Sequence, residues 1–191
     1  RGSAADCNYG MGKYLISRKL LMDLVEECMS RNLYDFDRDL LQRRLKELRV
    51  YGFEFTGAAY PITSFGSYFS ANMALMDPKV RSQLFQPDHP IYTKVRDDMP
   101  ARYGLGSVVS NSIVADGCVI DGEVENCVLF RGVKVKKGAR LRNCVIMQDS
   151  IIGENARLDY VVADKDVVFD NNRVLTGHQT YPVYVAKGSK V

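Results

Sequence analysis

The chain has 191 residues, of which 46% are hydrophobic and 26% charged, and its net charge is +3. This composition excludes extensive disorder and collagen-like repeats, and so small a charge does not indicate nucleic-acid binding. No apolar run is long enough to span a membrane and no signal peptide is evident, so we expect neither a membrane nor a nucleic acid as a partner. Five cysteines without a CxxC pair favour reduced, buried thiols in the cytoplasm.

The first 85 residues are predicted to form a mixed α and β domain. Apolar or aromatic runs at residues 14–16 and 50–55 are typical of strands. A first helix is predicted after Ser17, which suits a helix N-cap, and a second after Asp35 or Asp37. The five residues that precede this domain, RGSAA, resemble a remnant of cloning rather than a natural start.

A third helix is predicted to begin at Thr63 or Ser64 and to end at Asp77-Pro78, because proline disfavours helix in the residue before it. We expect this helix to cover the first coil of the region that follows. Prolines and glycines recur between residues 86 and 106, which predicts an extended linker.

Residues 107–191 are periodic. Four similar segments begin at Asn111, Asn126, Asn143 and Asp159, which are 15, 17 and 16 residues apart. Within a segment, apolar pairs recur about six residues apart, as a chain coiling around a triangular prism requires, with glycines at the corners. We predict a parallel β-helix of about four coils over residues 107–175, with one residue of each pair facing inward. Residues 181–186 are a further strand candidate, expected against the outside of the coils.

Three residue columns follow from this alignment. Cys127 and Cys144 occupy the same place in adjacent coils, and Ser112 and Tyr160 take that place in the other two. A redox pair is one interpretation, but small residues filling a stacked column are favoured. The asparagines that precede this column are expected to form a structural ladder.

The order of motifs resembles the glucose-1-phosphate adenylyltransferase (ADP-glucose pyrophosphorylase) family from about residue 8 onward. The matching segments are Asn8-Tyr-Gly-Met-Gly-Lys-Tyr14, Asp35-Phe-Asp-Arg-Asp-Leu-Leu41, Tyr60-Pro-Ile-Thr-Ser-Phe-Gly-Ser-Tyr-Phe-Ser-Ala-Asn72, Pro90-Ile-Tyr-Thr-Lys94 and Pro100-Ala-Arg102. The resemblance implies the C-terminal part of a nucleotidyltransferase domain over residues 1–85, a linker over 86–106 and a left-handed β-helix over 107–191. The upstream nucleotide-binding motifs of the family are missing, so the chain is expected to be a C-terminal fragment.

Two positions depart from the family pattern. Gly10 stands where the family has a serine at the sugar-phosphate site, and Pro61 stands where it has one of two carboxylates that hold magnesium. Proline cannot ligate a cation, so we expect no cofactor in this part of the chain and no catalytic residue. This pattern is most similar to the non-catalytic GlgD-type subunit of glycogen biosynthesis. That similarity implies a homologous catalytic subunit, or a second copy, as partner.

The resemblance also implies an effector site. Lys165, within Asp164-Lys165-Asp166, stands where the family has a basic residue that helps to bind an anionic effector, and a lysine can supply a mobile charge for phosphate. Arg131 and Lys134 belong to a basic stretch in the second coil and are further candidates. A solvated, solubilising surface is the alternative interpretation of all three.

Two enzymatic alternatives remain open at this point. The first is a catalytically competent adenylyltransferase when the chain is full-length. The second is a hexapeptide-repeat acyltransferase, which needs a histidine base presented from its coils. The sequence has two histidines, His89 and His178, and neither lies between residues 107 and 175. Both are expected to be surface residues.

Overall fold

The computed structural model describes residues 10–191, so Cys7, the RGSAA start and the first two residues of the Asn8 motif lie outside the described residues. The chain divides into two compact units, Arg1–Thr56 and Gly57–Val191. The sequence had instead placed boundaries after residues 85 and 106. The two units are described separately below.

The first unit is held by two helical segments. Helix α1 spans Arg18–Arg31, and the Ser17 hydroxyl accepts a hydrogen bond from the Leu20 N–H, as expected for its N-cap. A π-helical segment spans Phe36–Leu41, and the Asp35 side chain caps it by accepting from the Arg38 N–H. Leu24 and Leu40 are buried, and an ion pair of 2.6 Å joins Arg44 to Glu27. The two predicted helix starts are therefore confirmed.

The two predicted strands of the first unit are wrong. Residues 14–16 and 50–55 have no regular structure, and no strand occurs among residues 10–56. Phe53, for example, is 90% exposed. A strand is stable only beside a second strand, and the described part of this unit supplies none.

The second unit begins with two helices. Helix α2 spans Phe65–Ala74 and begins with a capping box in which the Ser64 and Ser67 side chains bond each other's backbone N–H groups. Helix α3 spans Pro78–Leu84 and was not predicted. Asp77 caps it by accepting from the Lys79 N–H, and proline fits the first position of a helix, where no N–H partner is needed. Asp77-Pro78 therefore separates two helices.

The rest of the second unit is a three-sided parallel β-helix. The described residues contain fifteen strands, which are β1 Arg102–Tyr103, β2 Val108–Ser110, β3 Ile113–Val114, β4 Val119–Ile120, β5 Glu123–Glu125, β6 Val128–Leu129, β7 Lys134–Val135, β8 Arg140–Arg142, β9 Val145–Ile146, β10 Ile151–Ile152, β11 Arg157–Asp159, β12 Val161–Ala163, β13 Val168–Phe169, β14 Val174–Thr176 and β15 Val183–Val185. They form sheet 1 (β1-β4-β7-β10-β13), sheet 2 (β2-β5-β8-β11-β14) and sheet 3 (β3-β6-β9-β12-β15). Every pairing is parallel, so the predicted β-helix is confirmed.

The β-helix extends beyond both predicted ends. Strand β1 lies inside the predicted linker, where Arg102 pairs with Val119 of β4. Strand β15 was expected on the outside of the coils, but it continues sheet 3 beside β12, and its Val185 is buried in the core. The residues between β14 and β15 form a longer corner than in the other coils, and this insertion hides the repeat in the sequence.

The apolar pairs alternate as predicted. In sheet 3, Leu129 and Ile146 face the interior of the prism, whereas Val128 and Val145 face outward. Helix α2 covers this outward face: Phe69 is 2% exposed and packs with Val128, Val145 and Val162. The helix therefore lies along the side of several coils, and the expectation that it covers the first coil alone is wrong. Burial of a phenylalanine at such a contact contributes about 2 kcal/mol.

The cysteine column is buried and structural. The Cys144 N–H donates to Cys127 Sγ at 3.4 Å, and each thiol donates to the carbonyl two residues before it. Val161 continues the column in the next coil, because Val162 pairs with Val145. The prediction that Tyr160 fills this place is therefore wrong by one residue. Burial, with a smaller contribution from neighbouring Cys127, raises the pKa of the Cys144 thiol well above its usual range.

The asparagine ladder forms as predicted, with a change at its end. Asn111 Nδ2 donates to Asn126 Oδ1 at 2.6 Å, Asn126 to Asn143 at 3.4 Å, and Asn143 to the Asp159 carboxylate at 3.1 Å. Tyr160 takes the next backbone place, with φ 51° against 50° at Asn143. The true spacing from Asn143 is thus 17 residues, because Tyr160 replaces an asparagine that the sequence alignment had matched to Asp159.

A buried charge should unfold the β-helix. We expect Ile146→Asp to lower the free energy of unfolding by roughly 3–5 kcal/mol, because its carboxylate would lie unpaired among apolar side chains. Val174→Asp is the matched control, since Val174 is a strand residue that is 60% exposed. Urea unfolding followed by circular dichroism measures both variants. Equal stability of the two would contradict the inward orientation of Ile146.

The raised thiol pKa values predict a loss of stability in alkali. Burial raises the pKa of both Cys118 and Cys144, so the folded state retains protons that the unfolded state releases. This contribution is complete below the unfolded thiol pKa of about 8.5 and declines as the pH rises from there toward the raised folded value. We expect Cys144→Val to reduce the decline in thermal stability between about pH 8.5 and 10. An unchanged decline in both Cys118→Val and Cys144→Val would refute this origin.

Candidate functional site: a basic corner of the β-helix

One corner of the prism, between sheet 3 and sheet 1, is built the same way in five successive coils. We call it the first corner; its four-residue turns are residues 115–118, 130–133, 147–150, 164–167 and 186–189. The third residue of each turn has a positive φ, from 58° at Asp149 to 74° at Gly117. Its N–H donates along the prism axis, for example from Asp166 to the Gln148 carbonyl at 2.9 Å.

These hydrogen bonds stack the second residue of each turn into one outward column. Its members are Asp116, Arg131, Gln148, Lys165 and Lys187. Adjacent members are one coil apart, about 4.8 Å, so Arg131 and Lys165 are separated by about 9.6 Å along the axis. The structure thus brings two of the three predicted effector residues onto the same corner.

Lys187 is a member that sequence reasoning missed. It follows Lys165 directly in the column, since the Gly188 N–H donates to the Lys165 carbonyl at 2.9 Å. Lys165 and Lys187 are 22 residues apart in the chain, whereas Arg131, Gln148 and Lys165 follow one another at 17. Alignment of Val183–Val185 with Val161–Ala163 would have identified it.

The surroundings of the column are polar. The Arg131 guanidinium donates to the Lys94 carbonyl at 3.4 Å, and nearby Arg96 pairs with Asp98 at 3.1 Å and Asp149 at 3.4 Å. Among residues 10–191, no ion pair within 4.0 Å involves Arg131, Lys165 or Lys187.

The acidic residues beside Lys165 bond elsewhere or face solvent. Asp164 accepts from the Lys165 N–H at 2.7 Å and from the Tyr184 hydroxyl at 3.4 Å, and Asp166 is exposed. The Lys165 and Lys187 side chains are both exposed. Two adjacent ammonium groups are therefore available to an anion in solution.

Lys134 lies elsewhere. It is the first residue of β7, on sheet 1, and its exposed side chain stands in a column with Val119 and Ile151 rather than at the corner. The structure does not bring it together with Lys165. Two further residues of the same basic stretch, Arg140 and Arg142, pair across strands with Glu123 and Glu125 at 3.1 and 3.2 Å.

The two degenerate family positions offer no chemistry. Gly10 and Pro61 are exposed, and neither side chain has an atom that could bind a metal or a phosphate. Within residues 10–191 no group of three or more histidine, cysteine or acidic side chains is placed to hold a metal ion. The residues present do not fit a magnesium site, and we derive no step through one.

Neither histidine is arranged as a base for acyl transfer. His178 lies after β14, where its Nδ1 is 2.9 Å from the Thr180 hydroxyl and its ring lies beside Tyr160. His89 is exposed in a short bridge with Gln86. No helix in the described part of the chain is long and apolar enough to cross a membrane.

The chain is similar to known proteins over most of its length. Residues 97–180 match the family described as GlmU-like, C-terminal hexapeptide, which supports a left-handed β-helix. The chain is 45% identical over 175 residues to glycogen biosynthesis protein GlgD of Bacillus subtilis (strain 168), an alignment that covers 92% of this chain and 51% of the relative. It is 43% identical to GlgD of Geobacillus stearothermophilus over 66% of this chain and 36% of the relative.

A second group of relatives carries an enzyme name. The glucose-1-phosphate adenylyltransferase of Mycoplasma mobile is 32% identical over 130 residues, which is 66% of this chain and 34% of the relative. The chain therefore spans about half the length, or less, of the curated relatives that it matches.

Proposed function

The chain belongs to the family of GlgD glycogen biosynthesis proteins and glucose-1-phosphate adenylyltransferases, and we propose that it is part of a regulatory and assembly subunit that modulates ADP-glucose synthesis from ATP and glucose 1-phosphate. The observation that carries this proposal is the 45% identity to GlgD across 92% of the chain. Identity to the adenylyltransferases is lower, 32% over 66% of the chain for the relative from Mycoplasma mobile.

The residues at the family's chemical positions support a non-catalytic role. Pro61 supplies no ligand atom where the family has a metal-binding carboxylate, and Gly10 supplies no hydroxyl where it has a serine. Loss of one carboxylate of a metal site removes charge stabilisation from the transition state. Each 1.36 kcal/mol lost slows a reaction about tenfold, so activity should fall by orders of magnitude.

The first corner supports a regulatory role. Arg131, Lys165 and Lys187 lie in one column on a backbone fixed by hydrogen bonds, and they form no ion pairs within the described residues. An anionic metabolite with two charged groups would be attracted to both ends of this column. We infer that Lys165 and Lys187 bind one end and Arg131 the other.

The ends of the β-helix support association with another subunit. Leu105 and Val108 of the first coil and Val174 of the last are each at least 60% exposed, on edge strands that lack a neighbour within the described residues. Such edges are stabilised when another chain covers them. We propose a homologous catalytic subunit or a second copy of this chain as that partner, and the place of action as the cytoplasm.

The natural full-length protein should not make ADP-glucose by itself. We expect turnover of ATP and glucose 1-phosphate to be orders of magnitude below that of the homologous adenylyltransferase, and restoring the sequence upstream should not rescue it. Added to the homologous enzyme, the protein should change its rate or its response to effectors. Ordinary turnover without a partner would refute the non-catalytic role, and an unchanged partner would refute the regulatory role.

The effector role of the first corner has its own test. We expect Lys165→Gln and Lys187→Gln each to weaken the effector response of the mixed enzyme about tenfold, because each removes one charge-assisted hydrogen bond. Lys134→Gln is the matched control: it removes the same charge from the same solenoid, outside the column. Equal effects in all three variants would indicate general electrostatics instead of a site.

A further inference from the structure

The β-helix carries a notch at a second corner, between sheet 1 and sheet 2. This second corner has four-residue turns at residues 104–107, 136–139, 153–156 and 170–173, but only two residues, Asp121 and Gly122, in the coil between the first two. The shortening explains why Asn111 and Asn126 are 15 residues apart when the later coils repeat at 17. One tier of the corner is therefore missing.

The missing tier leaves a cavity of about 740 Å³, the larger of two clefts in the described residues. It is lined by Gly106, Asp121, Gly122, Glu123, Lys136, Lys137, Gly138, Glu154 and Asn155. The floor is main chain from Gly122 and Gly138, and the rim is formed by charged side chains of the neighbouring turns.

Gly138 presents an unused main-chain donor at this notch. In the two following coils, the equivalent N–H groups of Asn155 and Asn172 donate to the Lys137 and Glu154 carbonyls at 3.1 and 2.7 Å. Gly138 has the same left-handed conformation, φ 74°, but no hydrogen bond from its N–H occurs within the described residues. Its N–H points to the place where the shortened coil would have supplied a carbonyl.

The charges around this donor favour an anion. Lys136 and Lys137 are exposed and form no ion pair within 4.0 Å among residues 10–191. Of the acidic neighbours, Glu123 is paired with Arg140 at 3.1 Å, which leaves Asp121 and Glu154. The Asp121 carboxylate turns toward the preceding turn, where a Cβ added to Gly104 would meet its Oδ1.

We propose that this notch is a binding site for a small anionic group, a phosphate or a carboxylate, distinct from the first corner. One anion oxygen accepts the Gly138 N–H, and the Lys136 and Lys137 ammonium groups supply the opposing charge. Backbone donors in a turn combined with flanking lysines bind anions by the same chemistry in many proteins. The proposal does not depend on the proposed function, because it uses neither the first corner nor a partner subunit.

The test follows the Gly138 amide by ¹H–¹⁵N NMR in the 191-residue protein. Inorganic phosphate and acetate are titrated separately against chloride at constant ionic strength. We expect a saturating shift of the Gly138 amide with at least one of the two, and the stronger binder identifies the ligand's charged group. Lys136→Gln/Lys137→Gln should weaken binding about tenfold, since two charged donors are lost. Lys165→Gln/Lys187→Gln is the matched control and should leave binding unchanged.

A second variant fills the notch. Insertion of Glu-Asn after Asp121 copies Glu154-Asn155 and restores a four-residue turn, so the Gly138 N–H regains a carbonyl acceptor. The variant should fold, as circular dichroism can show, and lose the saturating shift. The proposal is overturned if neither anion gives a saturating shift, or if the Lys136/Lys137 variant binds like the parent. It is also overturned if the Gly138 shift depends on protein concentration alone, which would indicate that a second chain occupies the notch.

Discussion

The hydrogen bond that each left-handed corner residue donates to the carbonyl of the preceding coil fixes the position of every other group in the β-helix. Asp149, for example, donates to the Arg131 carbonyl at 3.0 Å, and Asn143 to the Glu125 carbonyl at 3.1 Å. The left-handed conformation costs most residues free energy, which is why glycine, asparagine and aspartate fill most of these places. Once the corner is fixed, the strands of successive coils stack in register and their apolar residues form one continuous interior.

Tyr160 is the exception that shows how this constraint is met. A bulky residue at φ 51° is strained, yet the Tyr160 N–H still donates to the Arg142 carbonyl at 3.2 Å. The ring packs against Phe69 of α2, with the ring centroids 6.1 Å apart. Burial of the two rings offsets the backbone strain, so the covering helix and the corner stabilise each other.

The sequence predicted the parts of the fold that depend on short-range periodicity. The inward and outward members of Val128–Leu129 and Val145–Ile146 follow from their spacing alone. The register of Tyr160 and the strand at Val183–Val185 could not be predicted in the same way, because a tyrosine replaces the asparagine marker and extra residues interrupt the last repeat. The strands predicted at residues 14–16 and 50–55 failed for another reason: apolar character alone does not form a strand without a neighbour to pair with.

The candidate effector site was predictable only in part, for the same physical reason. Lys165 and Arg131 were found, but whether they share a column depends on the number of residues in every corner between them. That number counts 17 from Arg131 to Gln148 and again to Lys165, and 22 to Lys187, so the last member escaped notice. The outward charge of Lys134 looked equivalent in the sequence, yet three residues along the chain moved it from the corner to a flat face.

The outward residues also indicate which faces of the prism need a partner. Sheet 2 exposes Glu123 and Arg140, a cross-strand ion pair that is stable in water, whereas sheet 3 turns Val128 and Val145 outward. A strand with apolar residues on both sides must be covered, and α2 provides that cover within the chain. Corners are under no such requirement, because their side chains contribute little to the interior. Their length and charge can therefore change while the coils remain stacked, and this freedom is why the basic column, the notch and the insertion before β15 all occur at corners.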